Sequence, residues 1–206
     1  MDAFFVPREN MNLKQYLSQF TSNHLTLIGP MKVDTFENKE PIVFVDGGSK
    51  HYNGIGFKVG DGDSSISEMD EKLDSQKDYS DLAYTLGSIP DHYSELSTQG
   101  FLGGRKDHEL INWGEFFYFL NKNKNIDTIS LENNIILYSP GSYSFDIKKP
   151  FSLINSLPGK IKITGDCDYQ YDDYCHYSYS SQFLSNSGNG EINIESNIAF
   201  AIIIIN

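Results

Sequence analysis

The chain has 206 residues, enough to bury a sizeable core in one large or two small domains, and at 39% hydrophobic and 21% charged it has the composition of a globular protein. Its 28 acidic against 16 basic residues give a formal net charge of -12, which argues against a nucleic-acid backbone as partner and favours a cationic ligand at long range. The N-terminal apolar run Ala3 to Val6 is too short and lacks the basic leader of a secretory signal, and the C-terminal run Ile198 to Ile205 is far below the roughly 20 residues that span a bilayer, so a cytoplasmic protein with no membrane segment is expected.

Leu13, Tyr16, Leu17 and Phe20 fall at i, i+3, i+4 and i+7 and predict an amphipathic helix. Leu25 to Ile28 reads as a first strand closed by Gly29-Pro30. Ile42 to Val45 is a second, apolar throughout like strands buried on both faces, and it runs into Asp46-Gly47-Gly48. Ile55 to Val59 predicts a third strand, followed by the acidic turn Gly60-Asp61-Gly62-Asp63-Ser64-Ser65. Leu82, Thr85, Leu86 and Ile89 mark one face of a helix over Asp78 to Leu86, with Asp78 or Ser80 as its N-cap and Asp81 in its first turn. A strand near Glu95 to Thr98 leads through Phe101-Leu102 into Gly103-Gly104-Arg105-Lys106-Asp107-His108, and a helix follows with Leu110, Trp113, Phe117 and Leu120 on one face.

From about Lys122 the texture changes. Short apolar or alternating segments are separated by turn residues: Ile126 to Leu131, Ile135 to Tyr138, Tyr143 to Phe145, Phe151 to Ile154, Ile161 to Ile163, Glu191 to Ile194 and Ile198 to Ile205. That pattern predicts an all-β module, with a boundary in the polar link Asn121 to Asn125 and domains over 1–123 and 124–206. Cys167 and Cys175 lack paired C-x-x-C spacing and read as reduced bystander thiols.

The chemistry concentrates in the first half. Asp61 and Asp63 flank one glycine, which in extended backbone sends both carboxylates to the same side, and magnesium usually takes only one or two protein carboxylates. The same composition also makes an ordinary solvated turn. An EF-hand is excluded, because counting Asp61 as loop position 1 puts Ile66 where glycine is needed and Lys72 where the bidentate glutamate is needed. Lys77 can meet a phosphate oxygen as a point charge. The glycines of Gly103-Gly104 admit a phosphate at a helix N-terminus, and Arg105 offers it a planar fork. His108 and Trp113 read as structural.

In order, the Asp46-Gly47-Gly48 turn, the Gly60-Asp61-Gly62-Asp63-Ser64 turn, Lys77-Asp78-Tyr79-Ser80-Asp81 and Gly103-Gly104-Arg105-Lys106-Asp107-His108 resemble the DGG, GDxDS, D-x-[TS]-D and GGRxDH motifs of thiamine pyrophosphokinase. Further on, Glu132 to Gly141, Phe151 to Ile154 and Ser185-Asn186 are similar to parts of that family's β domain, while its G-L-K-[WY] stretch is replaced here by Gly165-Asp166-Cys167-Asp168-Tyr169. The resemblance implies an N-terminal α/β domain with a mostly parallel sheet that binds ATP and Mg2+. An antiparallel β-sandwich that binds thiamine and forms a homodimer would follow it, with the vitamin at the subunit interface. It implies transfer of diphosphate from ATP to the thiamine hydroxyl, giving thiamine diphosphate and AMP. Asp61, Asp63 and Asp81 would hold the metal. Asp46, Gly47, Gly48, Lys77, Gly103, Gly104 and Arg105 would hold the phosphates, Asp107 or, alternatively, Asp78 would take the proton, and Ser185 and Asn186 would contact thiamine. Two other outcomes stay open: a pyrophosphokinase for another primary alcohol such as a hydroxymethyl pterin, and a non-catalytic thiamine- or nucleotide-binding homologue.

Overall fold

The computed structural model describes residues 11–32, 39–50, 55–63, 68–132 and 134–205. Ala3 to Val6, Ser64, Ser65 and Asn133 lie outside the described residues. The fold is a mixed, sheet-rich α/β fold with few helices, and the chain divides into two compact units, one ending at Glu115 and the other beginning at Phe116.

The first unit holds β1 (His24–Ile28), β2 (Ile42–Val45), β3 (Phe57–Gly60), β4 (Glu71–Lys72) and β5 (Glu95–Gln99). They lie in the order β5-β1-β2-β3-β4, every neighbouring pair parallel. Every residue of β1 and β2 is buried, as unbroken apolar strands inside a parallel sheet should be. Parallel pairing brings the carboxyl ends of these strands to one rim. Gly29-Pro30, Asp46 to Lys50, Gly60 to Asp63 and Gly100-Phe101 therefore all leave the sheet on the same side. Two short helices accompany the sheet. In α1 (Leu13–Leu17) Asn12 and Gln15 form a capping box, and the helix ends before Phe20, whose ring meets Tyr16 edge-on. In α2 (Asp81–Gly87) the cap is Ser80, whose hydroxyl accepts the Ala83 amide, and not Asp78. Strand β4 has no apolar pattern and was not expected.

Helix α3 (Lys106–Lys122) buries the second half of the expected face, Phe117 and Leu120, but not the first. Its buried residues are Phe116, Phe117 and Leu120, whereas Leu110 is 70% exposed and Trp113 is only half-buried. The division of the chain falls inside this helix, upstream of the Asn121 to Asn125 link. The reason is packing: Phe117 meets Tyr179 edge-on, and Asn121 donates to Ser156 and accepts the Ala199 amide.

The second unit contains β6 (Thr128–Leu131), β7 (Ile135–Tyr138), β8 (Gly141–Ile147), β9 (Pro150–Asn155), β10 (Gly159–Cys167), β11 (Tyr171–Cys175), β12 (Asn186–Ser196) and β13 (Phe200–Ile204). Within it all strand pairs are antiparallel. One run of neighbours is β6-β7-β13-β9 and another is β8-β12-β10-β11. Strand β12 joins them, because Asn186 and Ser187 pair with β9 while Gly190 to Ser196 pair with β8. Phe151, Leu153, Ile161, Ile163, Ile192, Ile194, Phe200 and Ile202 belong to one buried cluster. Strand β11, Tyr171-Asp172-Asp173-Tyr174-Cys175, was missed in the sequence because it lacks apolar alternation; it is held by pairing with β10.

Candidate functional site

At the rim of the first unit lies a cavity of about 790 Å³, within the range usual for ligand pockets. Asp46, Asp61, Asp63, Lys77 and Asp81 line it, together with Met31, Phe101, Gly103 and Arg105. Four acidic positions from three separate stretches of sequence thus meet at one opening.

The register of the sheet explains how. Val45 of β2 is paired with Val59 of β3, so the next residues, Asp46 and Gly60, are side by side. A Cβ added at Gly60 would stand 3.0 Å from the Asp46 Cα and 2.7 Å from Asp81 Oδ2, which is why only glycine fits. Asp46 itself has φ 54°, a left-handed conformation uncommon outside glycine and favoured by turns that aim a side chain. The turn after it packs down on β1, where a Cβ at Gly48 would lie 2.1 Å from the Ile28 carbonyl oxygen.

Asp46, Asp61 and Asp63 each bring a carboxylate oxygen to within 4.8 Å of the others. All donors are hard oxygens, the set that suits magnesium. Asp61 also accepts the Asp63 amide at 3.1 Å. That hydrogen bond, against the opposing effect of burial and with help from Lys77, holds the Asp61 carboxyl below its usual range. The sequence had grouped Asp46 with the phosphate-binding glycines, and the β2–β3 register is the signal that would have joined it to the acids.

Asp81 is placed differently. Its Oδ1 lies 2.8 Å from Lys77 Nζ and its Oδ2 accepts the Asp61 amide at 3.3 Å. Lys77 Nζ is also 3.6 Å from Asp61 Oδ2 and donates to the Asp74 carbonyl at 3.2 Å. Burial works against the charge on Lys77, but the hydrogen bond and attraction to Asp81, then those to Asp61, outweigh it and its pKa is raised.

At the start of α3, Gly103 (φ 82°) and Gly104 (φ 68°) are left-handed, and a Cβ at Gly104 would lie 2.5 Å from the Met31 sulfur. Gly103, Arg105 and His108 face the cavity. Asp107 and Asp78 are exposed and neither lines it, so the two expected bases are not brought to the opening. Asp107 is gripped by the Arg105 fork, Nε to Oδ1 at 3.2 Å and the terminal nitrogen to Oδ2 at 2.5 Å, which pulls its pKa down to about 2 and makes it a weak base as it stands.

In the second unit, Ser185 is left-handed (φ 54°) and its amide donates to Ser152 Oγ. Asn186 is buried and clips the chain beyond β10: its Oδ1 accepts the Tyr169 amide at 3.0 Å and its Nδ2 donates to the Tyr169 carbonyl at 2.7 Å. Those bonds fix the amide that the resemblance assigns to thiamine, leaving it one further N–H and one further lone pair. Cys167 and Cys175 are free thiols.

A parallel sheet whose strand ends carry Asp46, Asp61 and Asp63 opposite a glycine-rich turn defines an α/β protein with a polar cavity at its sheet rim. Known structures of this fold carry a more particular name. The chain superposes on the thiamin pyrophosphokinase family protein of Enterococcus faecalis with a TM-score of 0.69 at 21% identity, covering 89% of this chain and 99% of that one. The thiamine pyrophosphokinase of Bacillus subtilis gives a TM-score of 0.64 at 23% identity, with coverage of 89% and 99%. A Lactobacillus plantarum protein gives 0.68 at 20%, with coverage of 90% and 99%. The fold is therefore that of the thiamin pyrophosphokinases. No protein-family model and no curated protein sequence matches the chain. Among the described residues, no helix is long and apolar enough to cross a membrane.

Proposed function

We propose that the protein is a thiamine pyrophosphokinase, moving diphosphate from ATP to the thiamine hydroxyl with release of AMP. The observation that carries this reading is the meeting of Asp46, Asp61 and Asp63 at one cavity in a chain with the fold of those enzymes. In this reading the unit ending at Glu115 binds the nucleotide, the strands after it form a β-sandwich for thiamine and dimerisation, and the protein works as a cytoplasmic homodimer.

Asp46, Asp61 and Asp63 would hold Mg2+, which when bound neutralises triphosphate charge during transfer. Gly47 and Gly48 allow close approach at one turn, and Gly103, Gly104 and Arg105 offer backbone amides and a guanidinium at the other. A phosphate taken up by Arg105 draws its fork away from Asp107, so the expected base becomes free to accept the hydroxyl proton only with nucleotide in place. Ser185 is retained as a thiamine contact and Asn186 as the residue that fixes the loop beside it.

The test is AMP release from ATP and Mg2+ with thiamine or a hydroxymethyl pterin as acceptor. Thiamine-dependent AMP and thiamine diphosphate are expected. AMP release with the pterin alone would reassign the acceptor, and binding of both ligands without turnover would make the protein a non-catalytic homologue.

A further inference from the structure

We infer that Asp81 is a positioning residue which holds the Lys77 ammonium off the cation position formed by Asp46, Asp61 and Asp63. This rests on the metal reading proposed above. The Lys77 and Asp81 side chains are only 8% and 9% exposed, so each needs its partner's charge. Asp81 Oδ1 takes Lys77 at 2.8 Å, while Lys77 stands 3.6 Å from Oδ2 of Asp61, one of the three clustered aspartates. An ammonium and a divalent ion are both hard cations and compete for the Asp61 carboxylate. With Asp81 neutralised, Asp61 is the acid left within ion-pair reach of Lys77, and the lysine becomes a built-in inhibitor of metal binding.

Asp81 is well anchored for this task. It opens α2 directly after the Ser80 cap, and its second oxygen holds the Asp61 amide through the gap left by the missing Gly60 side chain. The same carboxylate thus steadies the backbone of a metal-binding residue and restrains the lysine that would displace the metal.

Mn2+ binding to the full chain without nucleotide, followed by the electron paramagnetic resonance of free Mn2+, tests this directly. Asp81→Asn, which keeps an acceptor for the Asp61 amide, should weaken Mn2+ binding by about tenfold or more. Lys77→Met should bind Mn2+ at least as tightly as wild type. Lys77→Met in the Asp81→Asn background should recover affinity to within about threefold of wild type. A double variant as weak as Asp81→Asn would make Asp81 a ligand in its own right and overturn the inference, as would unchanged affinity in Asp81→Asn. Should Asp81→Asn fail to fold, weaker binding by Lys77→Met alone would overturn it. Loss of Mn2+ binding in the wild type would instead remove the metal site itself, and the proposed function with it.

Discussion

The two units bury polar groups in different ways. In the second, the buried polar side chains are neutral, among them Asn155, Ser156, Asn186 and Ser196, and each is tied to backbone groups. The first has such groups too, Thr26 and Thr85 among them, but adds a lysine and two aspartates largely withdrawn from water, with the carboxylates of Asp46 and Asp63 beside them. Neutral groups satisfied in this way hold a fold together at little cost, whereas ions taken out of water are expensive and weak evidence of stability. Under the proposed metal reading, the contrast separates residues that specify a structure from residues kept for what they bind.

The largest effect should come where the rim itself is built. Gly48→Ala drives a methyl into the Ile28 carbonyl and should cost more than about 3 kcal/mol, seen as loss of the cooperative melt. Next, Asp61→Asn should lower AMP release roughly 100-fold. Without metal the same change gives up the Lys77 attraction that helps hold the Asp61 carboxyl below its usual range, so its melting temperature should fall slightly below that of wild type. Mg2+ should raise the wild-type melting temperature and leave the variant's unmoved. A metal-dependent rise in both proteins would break the assignment. Asn155→Ala sharpens the other side of the comparison. It strips the Leu157 and Tyr177 carbonyls and the Ser180 amide of their partner and should cost about 2 kcal/mol in denaturant unfolding, with Mn2+ affinity unchanged.

The smallest effect belongs to Arg105→Ala. Its ion pair is exposed, so thermal stability should not change. The Asp107 pKa, followed by NMR, should climb from about 2 toward the ordinary 3.8. Because the folded pKa is the lower one, whatever the pair adds to stability is present above 3.8 and fades as pH falls through about 2. A titration unchanged in the variant would show that Arg105 is not what holds Asp107.

Strands were legible wherever the hydrophobic pattern had a single cause. Ile42 to Val45 and Ile135 to Tyr138 match β2 and β7 residue for residue, since apolar runs between turns have few other ways to leave water. Strand β11 was invisible because its pairing with β10, and not burial, keeps Tyr171 to Cys175 extended. In α3 the predicted face is buried only in its second half: Phe117 and Leu120 are inside together with Phe116, while Leu110, on the same face two turns earlier, is exposed. The acids of the site were legible as residues, since Asp with Gly at strand ends is a local signal. Their grouping was not, because it depends on which strands are neighbours. Asp46 joins Asp61 and Asp63 through the β2–β3 register, and Asp81 is set apart by Lys77.

Strand β12 carries one more implication. Its eleven residues alternate between interior and water almost without fault, and they hydrogen-bond to three different neighbours along their length. Sliding it by a single position would bury Glu191, Asn193 and Glu195 and expel Ile192 and Ile194. No half-zipped arrangement escapes that penalty, so amide protons on β8, β9 and β10 should exchange with solvent in one concerted opening, governed by this central thread.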